Sequence, residues 1–344
     1  MSSKTAPVTH SRPPLPPYLG LGLGVLATST ASIFIRYAQA DGAPSLVIAA
    51  WRLSLAALVL APIVLWRHRG ELARLTGREW SLVATSGFFL GLHFAAWITS
   101  LAYTTVANSV VFVSTAPLFV ALFAAALLRE RLTRPVLAGI GVALAGSLVV
   151  GLSDACGVET GCPSLSDFVR GQGFYGDMLA LAGAAAVAIY LIIGRSVRAR
   201  LSLLVYIFLT YGAAALTLLA GVWVTGAPLR GFTPADFPAS LGAGLAARLA
   251  DDRAPLAAGS WAVWVLLLAL VPQLIGHSSF NWALRYLPAT FVSVTVLGEP
   301  IGSTVLAFVL LNEVPTPLKV LGGGLILLGI LIAAQRGDDR QPKS

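Results

Sequence analysis

Apolar residues fill this chain in long runs that short polar stretches separate. A helix rises about 1.5 Å per residue, so roughly 20 apolar residues cross the hydrocarbon of a bilayer. Runs of that length predict membrane-spanning helices at 18–38, 45–65, 82–103, 107–128, 135–153, 174–194, 202–224, 261–283, 289–311 and 317–335. The pattern therefore indicates an all-α integral membrane protein with ten transmembrane helices.

The second half of the chain repeats the first. Four residues recur at a constant separation of 183, and the pairs are Pro117 and Pro300, Glu130 and Glu313, Gly139 and Gly322, and Gly146 and Gly329. Arginines flank the first glutamate at 129 and 131, whereas none flanks the second. Basic residues mark the cytoplasmic side of a membrane protein, and five spans per half is an odd number. Both arguments predict two inverted five-helix repeats, an architecture typical of transporters.

These patterns divide the chain into segments. The expected division is a disordered cytoplasmic tail at 1–17, a first five-helix repeat at 18–153, an external loop at 154–173, a second five-helix repeat at 174–335 with an external loop at 225–260, and a cytoplasmic tail at 336–344. Cys156 and Cys162 both fall in the first external loop, where they could form a disulfide or remain thiols.

Composition agrees with a membrane location. The 344 residues are 57% hydrophobic and 11% charged, whereas about a quarter of the residues of globular proteins are charged. The net charge of +8 could suggest nucleic-acid binding, but the basic residues lie in short loops and form no single face, which argues against it. Sixteen of the 23 basic residues fall on the side that holds both termini, so we expect both termini in the cytoplasm.

Arg52 is the first candidate for chemistry, because it stands about seven residues inside the second predicted span. A charge near the bilayer centre costs roughly 2.5–3.5 kcal/mol on insertion scales, so it needs a partner or a function. One interpretation makes it the anchor for a substrate carboxylate or phosphate. The other makes it a structural arginine that bonds backbone carbonyls or reaches the outer interface.

Glu299 is the only acidic residue that we expect deep within a span, and it directly precedes Pro300. An intramembrane carboxylate can take up a proton, so we hypothesise that Glu299 couples conformational change to protonation. A structural hydrogen bond is the alternative. Pro117 and Pro300 are expected to kink the fourth and ninth helices at matched positions.

Aromatic and polar side chains supply the remaining candidates for substrate binding. His93 and Trp97 are four residues apart and share a helix face, and His277 and Asn281 repeat that spacing. Tyr190 and Tyr211 could add flat walls for an aromatic or amphipathic solute. Aromatic residues also mark membrane interfaces, and a lone histidine often makes a helix-packing hydrogen bond, so both interpretations stay open.

The motifs resemble those of the EamA-type members of the drug/metabolite transporter superfamily. The best-matching stretches are 101–151 and 284–334, which include Ala116-Pro117-Leu118-Phe119, Leu128-Arg129-Glu130-Arg131-Leu132 and Gly298-Glu299-Pro300. The resemblance implies a ten-helix carrier of the inner membrane with a central cavity. It also implies alternating access and the export of amino acids or other small metabolites, without a cofactor. The motifs belong to the scaffold and leave the solute open.

Other functions fit less well. A channel requires a repeated selectivity filter, and a receptor requires a sensory domain. The sequence shows neither feature. An intramembrane enzyme is disfavoured because no His-Glu-x-x-His motif or paired intramembrane aspartates occur, so we expect no catalytic residue and no metal site. The expected partners are a small-molecule substrate and the lipid bilayer, with a monomer or a homodimer both possible.

Overall fold

A computed structural model describes residues 16–128, 134–155, 170–198, 200–228, 231–250, 261–283 and 295–334. Within these ranges the chain is helical and contains no strand. This confirms the all-α class. A bilayer offers no water to unpaired backbone groups, so a chain this apolar must satisfy them within helices. The predictions for the terminal tails, Glu130, Cys156 and Cys162 fall outside the described residues.

The helices follow the apolar runs. In the first half they are α1 (Pro17–Ser29), α2 (Ala31–Ala40), α3 (Ser45–Arg67), α4 (Arg69–Leu72), α5 (Gly77–Ser100), α6 (Val106–Val113), α7 (Ala116–Leu128) and α8 (Arg134–Ala155). In the second half they are α9 (Gln172–Arg198), α10 (Leu203–Thr225), α11 (Phe237–Ala250), α12 (Trp261–Leu268), a π-helical segment (Ala269–His277), α13 (Ser278–Ala283), α14 (Gly298–Leu311) and α15 (Pro317–Ala334).

Helix length separates these segments into two groups. Seven segments of the described chain are long and apolar enough to cross a membrane: Pro17–Ala40, Ser45–Arg67, Gly77–Ser100, Val106–Phe123, Gln172–Arg198, Leu203–Thr225 and Trp261–Phe280. Three further helices are apolar but shorter, at Arg134–Val150, Gly298–Leu311 and Pro317–Ile332. Helix length alone therefore does not establish the predicted count of ten spans.

The two candidate kink prolines both lie in the first turn of a helix. Pro117 is the second residue of α7, which follows a turn at Ser114 and Thr115, and Pro300 is the third residue of α14. Proline suits this position because the first backbone N–H groups of a helix have no intrahelical acceptor. The same residue thus begins a helix at the same place in each half.

The helices pack in a pattern that a two-fold axis between the halves would produce. The second apolar segments, α3 and α10, pack on each other, and so do the last, α8 and α15. The third segment of the first half, α5, packs along α9, the first segment of the second half. The reciprocal pair, α1 with the π-helical segment, is also in contact. Such reciprocity is the mark of a two-fold relation.

Glycine allows α8 and α15 to approach backbone to backbone. A Cβ added at Gly146 would lie 2.6 Å from the carbonyl oxygen of Gly322, and one added at Gly329 would lie 2.5 Å from that of Gly139. The earlier α8 residue, Gly139, therefore contacts the later α15 residue, Gly329, and the later α8 residue, Gly146, contacts the earlier one, Gly322, so the two helices run antiparallel. Small residues are the usual means of close helix packing in lipid, where no hydrophobic drive acts between helices.

A polar network joins the halves at the ends of several helices. Arg36 Nη2 lies 3.1 Å from Oε1 of Glu313, and Arg36 Nη1 donates to the carbonyl oxygen of Leu101 at 2.7 Å. The backbone N–H of Val106 donates to Oε2 of the same glutamate at 2.9 Å. A carboxylate at the first turn of α6 also complements the helix dipole. Glu313 thus connects α2, the α5–α6 turn and the α14–α15 turn.

We predict that Gly146→Leu disrupts the contact between α8 and α15, because the added side chain has no space against the backbone of Gly322. The expected loss is about 1–3 kcal/mol of stability, the usual cost of overpacking. Thermal unfolding of the purified protein in detergent measures it. Gly141→Leu is the matched control, since a Cβ there meets nothing within 4 Å. Equal melting temperatures for the two variants would contradict the glycine contact.

Candidate functional site

Arg52 is fully buried on α3, the helix that packs on α10 of the second half. A charge within a membrane helix is costly and requires partners. Its Nε donates a hydrogen bond to Oε1 of Gln273 at 2.9 Å. Because Gln273 belongs to the second half, this bond joins the two halves in the interior of the protein.

The other two nitrogens of Arg52 make no hydrogen bond to the part of the chain that the structure describes. The ring of Phe94 lies beside the guanidinium, with its centroid 4.3 Å from Cζ, and the ring of Trp97 follows at 5.8 Å. Cation–π attraction acts at these distances, so the two rings offset part of the cost of burying the charge. They offer no hydrogen-bond acceptor in the guanidinium plane.

Gln273 lies within the π-helical segment. A π-helix closes its hydrogen bonds over one more residue than an α-helix, and such segments are frequent at functional sites. Pro272 lies inside this one and has no N–H to donate to a regular helix. The side chain of Gln273 is buried and also interacts with the hydroxyl of Tyr211. Gln273 is therefore the contact that joins Arg52 to α10.

His93 and Trp97 lie together on α5, with their rings stacked at 5.9 Å. His93 Nδ1 donates to the carbonyl oxygen of Gly183 at 2.9 Å, a contact between α5 and α9. The indole Nε1 of Trp97 is buried and has no hydrogen-bond partner in the described ranges. His277 meets the cluster through an edge-on contact with Phe94 at 6.3 Å. Both histidines thus lie in the cluster that surrounds Arg52.

Glu299 is half-buried in the first turn of α14. It interacts with the side chain of Thr28 on α1 and, through its charge, with Arg52. Its carboxylate is not among the oxygens within 4.0 Å of a basic nitrogen in the described chain, so it forms no direct ion pair with Arg52. Glu299 and Arg52 therefore interact through their charges but lie farther apart than an ion pair.

The two candidate tyrosines lie in different surroundings. Tyr211 is buried and interacts electrostatically with Arg52. Tyr190 instead stacks on Tyr206 at 6.4 Å, and Tyr206 shares a hydrogen bond of 3.2 Å with Ser86. Tyr190 thus adjoins the residues around Arg52 through Tyr206 and through an electrostatic interaction with Tyr211. Asn281 lies on α13, but its side chain is outside the described part of the structure.

Asp177 is a buried acidic residue although it lies near the end of a predicted span. Its side chain is buried near the start of α9, where it accepts a hydrogen bond from Thr104 Oγ1 at 2.9 Å. Asn108 Nδ2 approaches both of its oxygens at 3.4 Å. Because Asp177 stands only four residues into its predicted span, its position in the sequence does not signal burial. Its polar partners on the α5–α6 turn are what allow burial there.

The present conformation buries the guanidinium of Arg52. The terminal nitrogens of Arg52 are inaccessible. Two open surface pockets of about 360 and 210 Å³ instead flank Thr105, and Arg36 and Glu313 line one each. Helices must therefore move before a solute can reach Arg52.

Comparison with known proteins gives concordant results. The sequence pattern of the EamA-like transporter family matches residues 15–152 and again 174–335. An uncharacterized transporter of Archaeoglobus fulgidus is 26% identical over 323 residues, which cover 93% of this chain and 97% of that protein. A probable terminal-alkyne amino-acid exporter of Streptantibioticus cattleyicolor is 26% identical over 224 residues, 65% of this chain and 62% of that protein.

A solved crystal structure has a similar fold. It aligns with 92% of this chain and 96% of its own at a TM-score of 0.55 and 21% sequence identity, a likeness that concerns the fold alone. The two family matches cover both halves of the chain, in agreement with the two-fold packing of its helices. The chain therefore belongs to the EamA-like transporter family and is a multi-pass membrane transporter.

Proposed function

We propose that the protein is a secondary carrier of the inner membrane that exports a small metabolite by alternating access. In this proposal ten spans form two inverted five-helix repeats, at 18–153 and 174–335, with both termini in the cytoplasm. The antiparallel crossing of α8 and α15 and the reciprocal helix contacts support the inversion. Inverted repeats place the solute site where the repeats meet, around which one repeat rocks against the other.

The observation that carries the proposal is Arg52, a buried charge at the contact between the halves with one bonded nitrogen of three. Intramembrane charges are costly and most often mark a solute or ion pathway. We assign solute binding to Arg52 and to the residues that are expected to line a central chamber with it. These are His93, Trp97, Tyr211, His277 and Asn281, and Tyr190 lies at the margin of this chamber.

An amino acid or an amphipathic aromatic compound is the proposed solute. Phe94 and Trp97 give the cluster aromatic walls, which suit a flat apolar group. The name of the Streptantibioticus cattleyicolor relative, an amino-acid exporter, supports the same class. A channel is the alternative, and it differs from a carrier in having no site that alternates between the two sides.

Counterflow separates the carrier from the channel. Proteoliposomes that hold unlabelled L-phenylalanine are expected to accumulate external labelled L-phenylalanine transiently, with a saturable rate, because a carrier exchanges one bound solute for another. Flux that is linear in concentration and shows no transient accumulation would favour a channel.

Arg52→Gln is expected to lower the counterflow rate on the order of 100-fold. Removing one partner of a buried charged contact costs about 2–5 kcal/mol, and each 1.4 kcal/mol is tenfold. Arg67→Gln is the control, because Arg67 is an exposed arginine of the same helix. The assignment of Arg52 to solute binding fails if both variants exchange solute at the wild-type rate.

We further propose that Glu299 couples transport to protons. A carboxylate in the low-dielectric interior next to Thr28 and facing Arg52 can exchange a proton as the chamber opens and closes. Glu299→Gln is therefore expected to remove the pH dependence of net efflux while counterflow continues. Glu313→Gln, which alters the carboxylate that binds Arg36, should keep that dependence. An unchanged pH profile in Glu299→Gln would exclude the coupling role.

A further inference from the structure

Three buried N–H-bearing nitrogens in the Arg52 cluster have no acceptor in the described chain: Arg52 Nη1, Arg52 Nη2 and Trp97 Nε1. More than nine in ten buried polar groups in proteins are hydrogen-bonded, so three unpaired donors in one cluster require an explanation. Guanidinium and indole groups donate and cannot accept. The group that would complete the cluster must therefore be rich in acceptors.

The hydrogen bond to Gln273 determines which edge of Arg52 remains available. Nε donates a hydrogen bond to Oε1 of Gln273 at 2.9 Å. The edge of the guanidinium that carries Nη1 and Nη2 is therefore the one that has no acceptor in the described chain. Two parallel N–H groups at that edge match the two oxygens of a carboxylate. The ring of Phe94, 4.3 Å from Cζ, covers a face of the guanidinium and directs an incoming acceptor into its plane.

The neutrality of Gln273 matters as much as its position. A carboxylate at 273 would accept the same hydrogen bond and would also cancel the charge of Arg52. The amide holds the side chain and leaves the full positive charge for another anion. Glu299 does not take that place, because it is not within ion-pair distance. Arg52 is thus oriented by a neutral partner, and no carboxylate of the described residues lies within ion-pair distance of it.

We propose that Arg52 and Trp97 form an anion subsite that binds the free carboxylate of the transported solute, and that Gln273 is the positioning residue that keeps this subsite open. The inference rests on the proposed carrier function and narrows its substrate class to solutes with a free carboxylate. Amides and esters of the same solutes are not expected to bind at the subsite, because they lack the negative charge that would pair with Arg52.

Paired ligands test the subsite on purified wild-type protein in detergent. The probes are L-phenylalanine and 3-phenylpropionate, each beside its primary amide, which has nearly the same shape and no negative charge. Both acids are expected to raise the melting temperature in a saturable manner, whereas both amides leave it unchanged. Equal shifts from acid and amide, or no shift from either acid, would overturn the proposal.

Gln273→Glu separates a solute anchor from a structural arginine. If Arg52 binds the solute carboxylate, the new carboxylate at 273 pairs with Arg52 instead. The acid concentration needed for the melting shift then rises, and the counterflow rate falls, each on the order of 100-fold, while the unliganded protein melts no lower than wild type. If Arg52 is structural, the new ion pair is harmless and transport stays at the wild-type rate. That second result contradicts the proposal.

Trp97→Phe provides a second variant that keeps an aromatic ring, although a smaller one, and has no N–H to donate. It is expected to raise the KM for acid exchange about tenfold, the worth of about 1.4 kcal/mol, with kcat unchanged. An unchanged KM would remove Trp97 from the subsite. Acid-specific binding without counterflow in wild type would retain the subsite and overturn the carrier function, so the two proposals fail separately.

Discussion

A positive charge inside a membrane protein has to be satisfied from within, and the interior of this protein is arranged around that requirement. Arg52 is fully buried, and in the described chain its partners come from the π-helical segment and from two aromatic rings of α5. Gln273 supplies a hydrogen bond, and the rings of Phe94 and Trp97 supply cation–π attraction. These contacts join α3, α5 and the π-helical segment, and they leave two nitrogens of the guanidinium without a hydrogen bond to the residues that the structure describes.

The two halves share a scaffold and differ in its interior. Gly146 and Gly329 occupy matched positions, and each contacts the opposite half in the same way. Arg52 and Tyr211 are also matched, at a separation of 159 residues, and they interact electrostatically across the contact of α3 with α10. Symmetric positions therefore meet, but the residues that fill them differ. Such asymmetry permits a solute with one charged end to bind in one orientation.

The sequence sufficed for properties that average over many residues. An apolar run of about 20 residues remains recognisable when one position departs from it, which is why the helical class could be predicted. The family was predicted from motifs such as Gly298-Glu299-Pro300. Gln273 was missed because its amide carries no charge, although a glutamine beside Pro272 in the middle of a predicted span is a recognisable signal. Periodicity cannot tell which neighbour a buried face contacts, so the sequence does not show that Tyr190 stacks on Tyr206.

A structure of the protein with a bound, transported carboxylate solute tests the central claim most directly. The account predicts that the two carboxylate oxygens lie about 2.7–2.9 Å from Nη1 and Nη2 of Arg52, while Nε stays bonded to Gln273. A solute bound elsewhere, with both terminal nitrogens of Arg52 bonded to backbone carbonyls, would contradict it. In that case Arg52 would belong to the scaffold alone.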